Sequence, residues 1–246
     1  TGLAWSHLYW VQSPAALWIV HLLALAVLLM FTLGLWTRVT SVLAVLITIS
    51  YSHRAAGALF GLDQVNGFLT LYLAIGPSGA AYSIDRWLSL RRGRSGPETQ
   101  SSVGANIAIR LIQLHMCVVY LFAGVGKLLG ESWWDGTALW GAFGNFEYQT
   151  LDMTWLAAYP LLVNLLTQTI LVWEVTYCVL VWPRLLRPLV LAMAVPVHLV
   201  ICLGMRMMTF GLVMLVGNLA FLPPGVVRAL LERPFRGRMG QGRAGP

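Results

Sequence analysis

Fifteen of the sixteen basic residues in this chain are arginines, which leaves Lys127 as the single lysine. It closes an apolar stretch in which Gly124 and Gly126 would let another backbone or a ligand approach closely, and Trp133, Trp134, Asp135 and Gly136 follow it. A lysine amine in an apolar cleft can serve as a base, because desolvation disfavours its charged form. Arg110, Gln113, Cys117, Tyr120, Gly124 and Lys127 step by three and four residues, the spacing that gathers side chains on one helix face. Charged groups at membrane depth are costly unless paired or hydrated, so such a face belongs toward a bundle interior. A plainer reading stands beside this one. Arg110 and Lys127 lie 17 residues apart, about 25 Å of helix, and could anchor its two ends by reaching for the two interfaces.

Two further groups carry titratable side chains. His53, Arg54, Asp63, Gln64 and Asn66 fall between two apolar runs, where they would stabilise anions at a cavity mouth or simply solvate a loop. Glu174 is the one acidic residue deep in an apolar run. It requires a partner, and Arg110 and His198 are the candidates. His198, Cys202 and Arg206 recur every four residues and share a helix face. A histidine in such a setting is more often a packed hydrogen-bonding residue than a metal ligand. Neither the histidines nor Cys117, Cys178 and Cys202 show metal-ligand spacing, so no metal site is expected.

Membrane helices must position these residues. The chain is 58% hydrophobic and only 10% charged, whereas a soluble domain carries about 25% charged residues. Long apolar runs in hydrocarbon have to satisfy their backbone internally, as helices. The predicted fold is all-α, a polytopic transmembrane bundle of about seven spans near residues 15–36, 39–60, 65–84, 105–130, 155–182, 186–204 and 207–223, with Gly76 and Pro77 interrupting the third.

Alternating those spans across a bilayer puts twelve arginines on one side: Arg38, Arg86, Arg91, Arg92, Arg94, Arg184, Arg187, Arg228, Arg233, Arg236, Arg238 and Arg243. The other side receives Arg54, Lys127 and Arg206 with Asp63, Glu131, Asp135, Glu147 and Asp152. The positive-inside rule makes the arginine-rich side cytoplasmic. The net charge of +7 then reflects topology, and no nucleic-acid partner is expected. Residues 1–14 fall outside in this scheme, so a further span is expected before Thr1. The membrane domain is residues 1–223, with a polar cytoplasmic linker at 85–104 and an outer amphipathic loop at 131–154 rich in aromatics, suited to lie over a cavity mouth. Residues 224–246 read as a basic, disordered cytoplasmic tail.

The stretch Tyr120, Leu121, Phe122, Ala123, Gly124, Val125, Gly126, Lys127, Leu128, followed by Trp133, Trp134, Asp135, Gly136, Thr137, Ala138 and Leu139, resembles the horizontally transferred transmembrane (HTTM) family. That family is the bacterial relative of the membrane domain of vitamin K-dependent gamma-carboxylase. Arg110 with Gln113, the His53–Arg54 loop, Ser83, Ile84 and Asp85, and His198 with Met205 and Phe210 extend the resemblance over nearly the whole chain. It implies a bacterial inner-membrane protein with an outward-opening cavity, a reduced quinone of the vitamin K type as cofactor, and Lys127 as the base. His53, Arg54 and Arg206 would stabilise anionic intermediates, and Asn66, Tyr120, Trp133, Trp134 and His198 would line the cofactor site. Arg110, Gln113 and Glu174 would be structural polar residues. Where the carboxylase has a histidine, this chain has Gln64, Val65 and Asn66. Nothing after residue 223 is long enough to match its substrate-capturing domain.

Two functions remain open on this reading. One is quinone- or lipid-linked base chemistry at Lys127. The other is a non-catalytic subunit packed in the bilayer against a larger membrane complex, one that handles quinones. Transport ranks below both, because neither an inverted repeat nor paired broken helices is visible.

Overall fold

Ser13, Ser83 and Ser102 each stand one residue before a helix and accept the N–H three residues on with their hydroxyls, which satisfies a donor the helix cannot. Pro160 and Pro188 open two other helices in the first turn, where a missing N–H costs nothing. These signals start the elements of the computed structural model, which describes residues 5–93 and 102–229. In order they are α1 (Pro14–Leu33), α2 (Thr37–Arg54), α3 (Gly61–Ile75), α4 (Ile84–Arg91), α5 (Val103–Lys127), α6 (Glu131–Trp134), α7 (Ala138–Phe143), α8 (Pro160–Leu180), α9 (Arg187–Gly204) and α10 (Met208–Asn218). The described residues contain no strand, so the fold is all-α.

Four of these helices, α1, α5, α8 and α9, are long and apolar enough to cross a membrane. The other three apolar runs are less suited to it. At 18 residues α2 is as long as α9 but carries Thr, Ser, His and Arg along its length. Helices α3 and α10 have 15 and 11 residues, short of the roughly 20 that a hydrocarbon core asks for.

The run expected to continue to residue 84 stops at Ile75. Pro77 has no N–H for the Leu73 carbonyl, and the Ser78 N–H turns back to Gly76 (2.9 Å). The chain restarts at Ser83 as α4, so the linker expected from residue 85 begins instead as an amphipathic helix, in which Arg91 lies 3.8 Å from the Trp87 ring centroid. Residues 94–101 of that linker lie outside the described residues, and its last three, 102–104, cap and begin α5. The tail also differs from expectation at its start, since residues 224–229 are helical, while 230–246 lie outside the described residues.

Asp85 ties α4 to the α1–α2 turn. Its Oδ1 accepts the Trp36 N–H (2.9 Å), its Oδ2 accepts the Thr37 N–H and hydroxyl (2.8 and 2.9 Å), and its own N–H donates to the Gly34 carbonyl (2.9 Å). Partial burial pushes the carboxyl upward, but the Thr37 and Trp36 N–H groups and the Thr37 hydroxyl outweigh it and hold Asp85 below the usual carboxylate range. Gly34 has φ +71 and its Cβ position is filled by Ser83, so both backbone and space require glycine there.

The core lies where α5 meets α8 and where α9 meets α10. A Cβ on Gly124 would stand 2.9 Å from the Val175 nitrogen, and one on Gly211 would stand 2.6 Å from the His198 carbonyl oxygen. Small residues thus bring these helix pairs to near backbone contact. Met116, Tyr120, Tyr177 and Val181 fill the space between. By contrast α1 packs chiefly on α2 and leaves Trp18, Leu22, Leu25 and Leu29 exposed.

Candidate functional site

The Gly124–Val175 approach has a direct effect one turn further along α5. Lys127 Nζ stands 2.5 Å from Glu174 Oε2, with 25% of the lysine side chain and 10% of the glutamate side chain exposed. Glu174 therefore has a partner other than the two expected. Arg110 is about 25 Å away along the helix axis, where it donates to Gln113 Oε1 (2.9 Å) and lies 6.0 Å from the Trp182 ring centroid. Gln113 in turn donates to the Ala220 carbonyl (2.8 Å). His198 is engaged by Tyr120.

The ion pair forms the polar end of a cavity of about 410 Å³. One wall is α8, where Leu162, Leu166, Ile170 and Glu174 recur every four residues, and a second is α9, with Met193, Val197 and Val200. The third comes from the 138–158 segment through Phe143, Met153 and Leu156. Trp133 lies beside the ammonium, its ring centroid 5.2 Å from Nζ, a distance at which the ring face attracts a cation.

The segment that supplies the third wall is held by repeated local devices. Asp135 accepts the Thr137 hydroxyl and N–H (2.6 and 2.9 Å), and Asp152 does the same for Thr154 at equal distances. Those hydroxyls and N–H groups hold both carboxyls below their ordinary range. Helix α8 supports the segment as Gln168 donates to the Trp133 carbonyl (2.8 Å) and Asn164 to the Asp135 carbonyl (3.1 Å).

Next to the cavity is a fully buried polar chain. Asn218 uses its two amide hydrogens on the Met214 carbonyl and the Tyr120 oxygen (both 2.8 Å), and the Tyr177 hydroxyl donates to its Oδ1 (2.6 Å). Only an NH₂ group can face the Met214 carbonyl, so the amide orientation is determined. Tyr120 therefore accepts from Asn218 and gives its own proton to His198 Nε2 (2.6 Å). That makes His198 the Nδ1–H tautomer. This Nδ1 and His115 Nε2 are buried side-chain atoms without a hydrogen-bond partner among the described residues.

Of the residues expected to act with Lys127, Trp133 lines the cavity with it, and Tyr120 and His198 sit in the adjacent polar chain. The others lie elsewhere. His53 Nδ1 meets the Trp5 carbonyl (2.8 Å), and Arg54 lies 5.7 Å from the Tyr9 ring, so both hold the segment before α1. Asn66 receives a hydrogen bond on its carbonyl from Thr70 within α3. Arg206 takes φ +54 in the α9–α10 turn and donates its N–H to the Thr150 hydroxyl (2.9 Å), while its neighbours Met205 and Met207 line the cavity. Trp134 donates to the Leu128 carbonyl (2.7 Å) and faces outward. Tyr177 and Asn218 were not anticipated. Asn218, an amide closing an apolar run, carried the same signal that singled out Glu174.

The described residues hold no cluster of His, Cys, Asp and Glu that could bind a metal. No family model matches the chain, and no curated protein or solved structure is significantly similar to it. The geometry itself offers an apolar slot of a size that suits small-molecule ligands, with an ammonium and a carboxylate at one end.

Proposed function

We propose that this chain is an integral membrane protein of the HTTM type that binds a quinol or lipid-linked molecule in the cavity above Lys127 and withdraws an acidic proton from its head group. The observation that carries the reading is the Lys127–Glu174 pair at the end of an otherwise apolar cavity. An apolar tail lies against Leu162, Leu166 and Ile170, and the head meets the ammonium. One ammonium proton passes to Glu174, which frees the nitrogen lone pair that takes up the proton as the substrate O–H breaks. The products are an anionic substrate beside the Lys127 ammonium and a neutral Glu174. Charge is conserved, and the anion inherits the lysine from the glutamate.

In this reading the seven apolar runs all cross a bacterial inner membrane. The arginine-rich loops face the cytoplasm and Lys127 faces outward. Single cysteines at Ser95 and Glu147, in a background lacking Cys117, Cys178 and Cys202, would then react with an impermeant maleimide from opposite sides of inverted vesicles. Reaction from the same side would sink the topology.

The ligand reading is tested in nanodiscs by quenching of tryptophan fluorescence with a reduced naphthoquinone. Wild type should show saturable quenching that Lys127→Met weakens and the cavity-blocking Leu166→Trp abolishes. Equal quenching in all three would refute a ligand in this cavity. A second reading, a non-catalytic subunit of a larger membrane complex, draws on α1, whose apolar surface is exposed on every side but the one facing α2. Co-purification of a partner complex that is lost when Leu22 and Leu29 become alanine, and indifferent to Lys127→Met, would favour it.

A further inference from the structure

We propose a second ligand site, separate from the Lys127 cavity: a seat for one phosphatidylglycerol headgroup between the start of α2 and the end of α3. It rests on the membrane reading above, which carbonate extraction tests independently.

The site is a half-open cavity of about 740 Å³ lined by Trp36, Arg38, Ser41, Ala74 and Ser78. Arg38 is its cationic group, exposed on the first turn of α2. A guanidinium matches the geometry of a phosphate diester and can hold two of its oxygens at once. The cavity's other acidic or basic lining residue, Asp85, already takes three donors from Trp36 and Thr37. It is therefore held in place and turned to the backbone.

The end of α3 supplies an acceptor. Because the Ser78 N–H turns back to Gly76, the Ala74 carbonyl ends α3 without its helical donor. A peptide oxygen at a helix end asks for a hydroxyl or water. Beyond its phosphate, phosphatidylglycerol carries two free hydroxyls that meet this need, and phosphatidylcholine carries none. Trp36 completes the case. It is 67% exposed, and at φ +49 its backbone N–H is held by Asp85 Oδ1, so its indole is left open at the cavity as interfacial tryptophans are. Helix α4, which supplies Asp85 to the lining, also carries exposed Trp87 and Leu90 beside Arg91.

The full chain, purified in detergent, is mixed with defined lipids, and bound lipid is counted by native mass spectrometry. Phosphatidylglycerol should be retained where phosphatidylcholine is not. Arg38→Gln should cut its occupancy by about fivefold or more, the scale of one charge-assisted contact, while Arg38→Lys keeps part of it and Arg184→Gln keeps all. Phosphatidylmethanol, with the same charge and no hydroxyl, should bind less well than phosphatidylglycerol. Melting in the absence of lipid shows whether Arg38→Gln is folded. Equal retention by Arg38→Gln overturns the site, and equal binding of phosphatidylcholine overturns the headgroup. Displacement of the lipid by excess inorganic phosphate would make this a free-anion site and also overturn the proposal.

Discussion

Lys127 and Glu174 neutralise each other at 2.5 Å across the close contact of α5 with α8. Neither side chain is well solvated, so each depends on the other. Removing one partner of such a pair leaves an uncompensated charge and costs about 3–5 kcal/mol, whereas replacing both by apolar residues can be nearly neutral. Lys127→Met or Glu174→Gln alone should lower thermal stability in micelles, and the double variant Lys127→Met with Glu174→Leu should recover most of it. Additive losses in the double variant would show that the two residues act separately.

Gly124 is what permits that pairing. A side chain there meets the Val175 backbone, but a Cβ on Gly126 meets nothing within 4 Å. Gly124→Val should destabilise by about 1–3 kcal/mol through overpacking and move Lys127 away from Glu174. Gly126→Ala should leave thermal unfolding nearly unchanged. Equal effects at the two positions would contradict the close α5–α8 approach.

The buried polar chain predicts a graded series. Tyr177→Phe removes one donor and leaves Asn218 Oδ1 unsatisfied, a loss of about 1–3 kcal/mol. Tyr120→Phe leaves both the His198 ring and an Asn218 hydrogen without partners and should cost more. Asn218→Leu leaves the Tyr177 hydroxyl without an acceptor and Tyr120 with His198 alone, and should also cost more than Tyr177→Phe. Chemical denaturation of the three variants checks the order, and a reversed order would mean that the bonds do not run as described.

Asp85 predicts a pH dependence. Its folded carboxyl titrates below the ordinary carboxylate range, so its stabilisation is complete above the unfolded value and is lost as pH falls through the lower, folded value. Near neutral pH, Asp85→Asn should be less stable than wild type by about 1–2 kcal/mol, the scale of a lost helix cap. The two proteins should converge in acid. A difference that persists below the folded value would assign the effect to shape, not charge.

Much of the helical layout was legible in the sequence because apolar runs of helix length leave little choice of secondary structure. Breaks at Gly34 and the Pro77 region follow from backbone chemistry that depends on single residues. Helix α4 was hidden because its charges resemble those of a solvated linker, and only Ser83 as cap and Trp87 as apolar anchor mark it. At the site, the single lysine and the lone buried acid stood out individually. Their pairing did not, since it depends on how closely α5 and α8 approach, which is a property of Gly124 against Val175. His53, Arg54 and Asn66 share a residue type with functional groups, but sequence proximity to an apolar run says nothing about which end of which helix faces the cavity.

The bonds between helices in the buried chain all point the same way, from Tyr177 through Asn218 and Tyr120 to His198, so α8, α10, α5 and α9 are joined by a one-way circuit. Asn218 takes part in two of the three bonds and arrives last among these helices in chain order. Until α10 docks, Tyr120 and Tyr177 have no amide between them, and α5 is tied to α8 and α9 only by packing, the Lys127–Glu174 pair and the Tyr120–His198 bond. Helix α10 therefore acts as a latch, and a slip of one turn in any of the four helices would open the circuit.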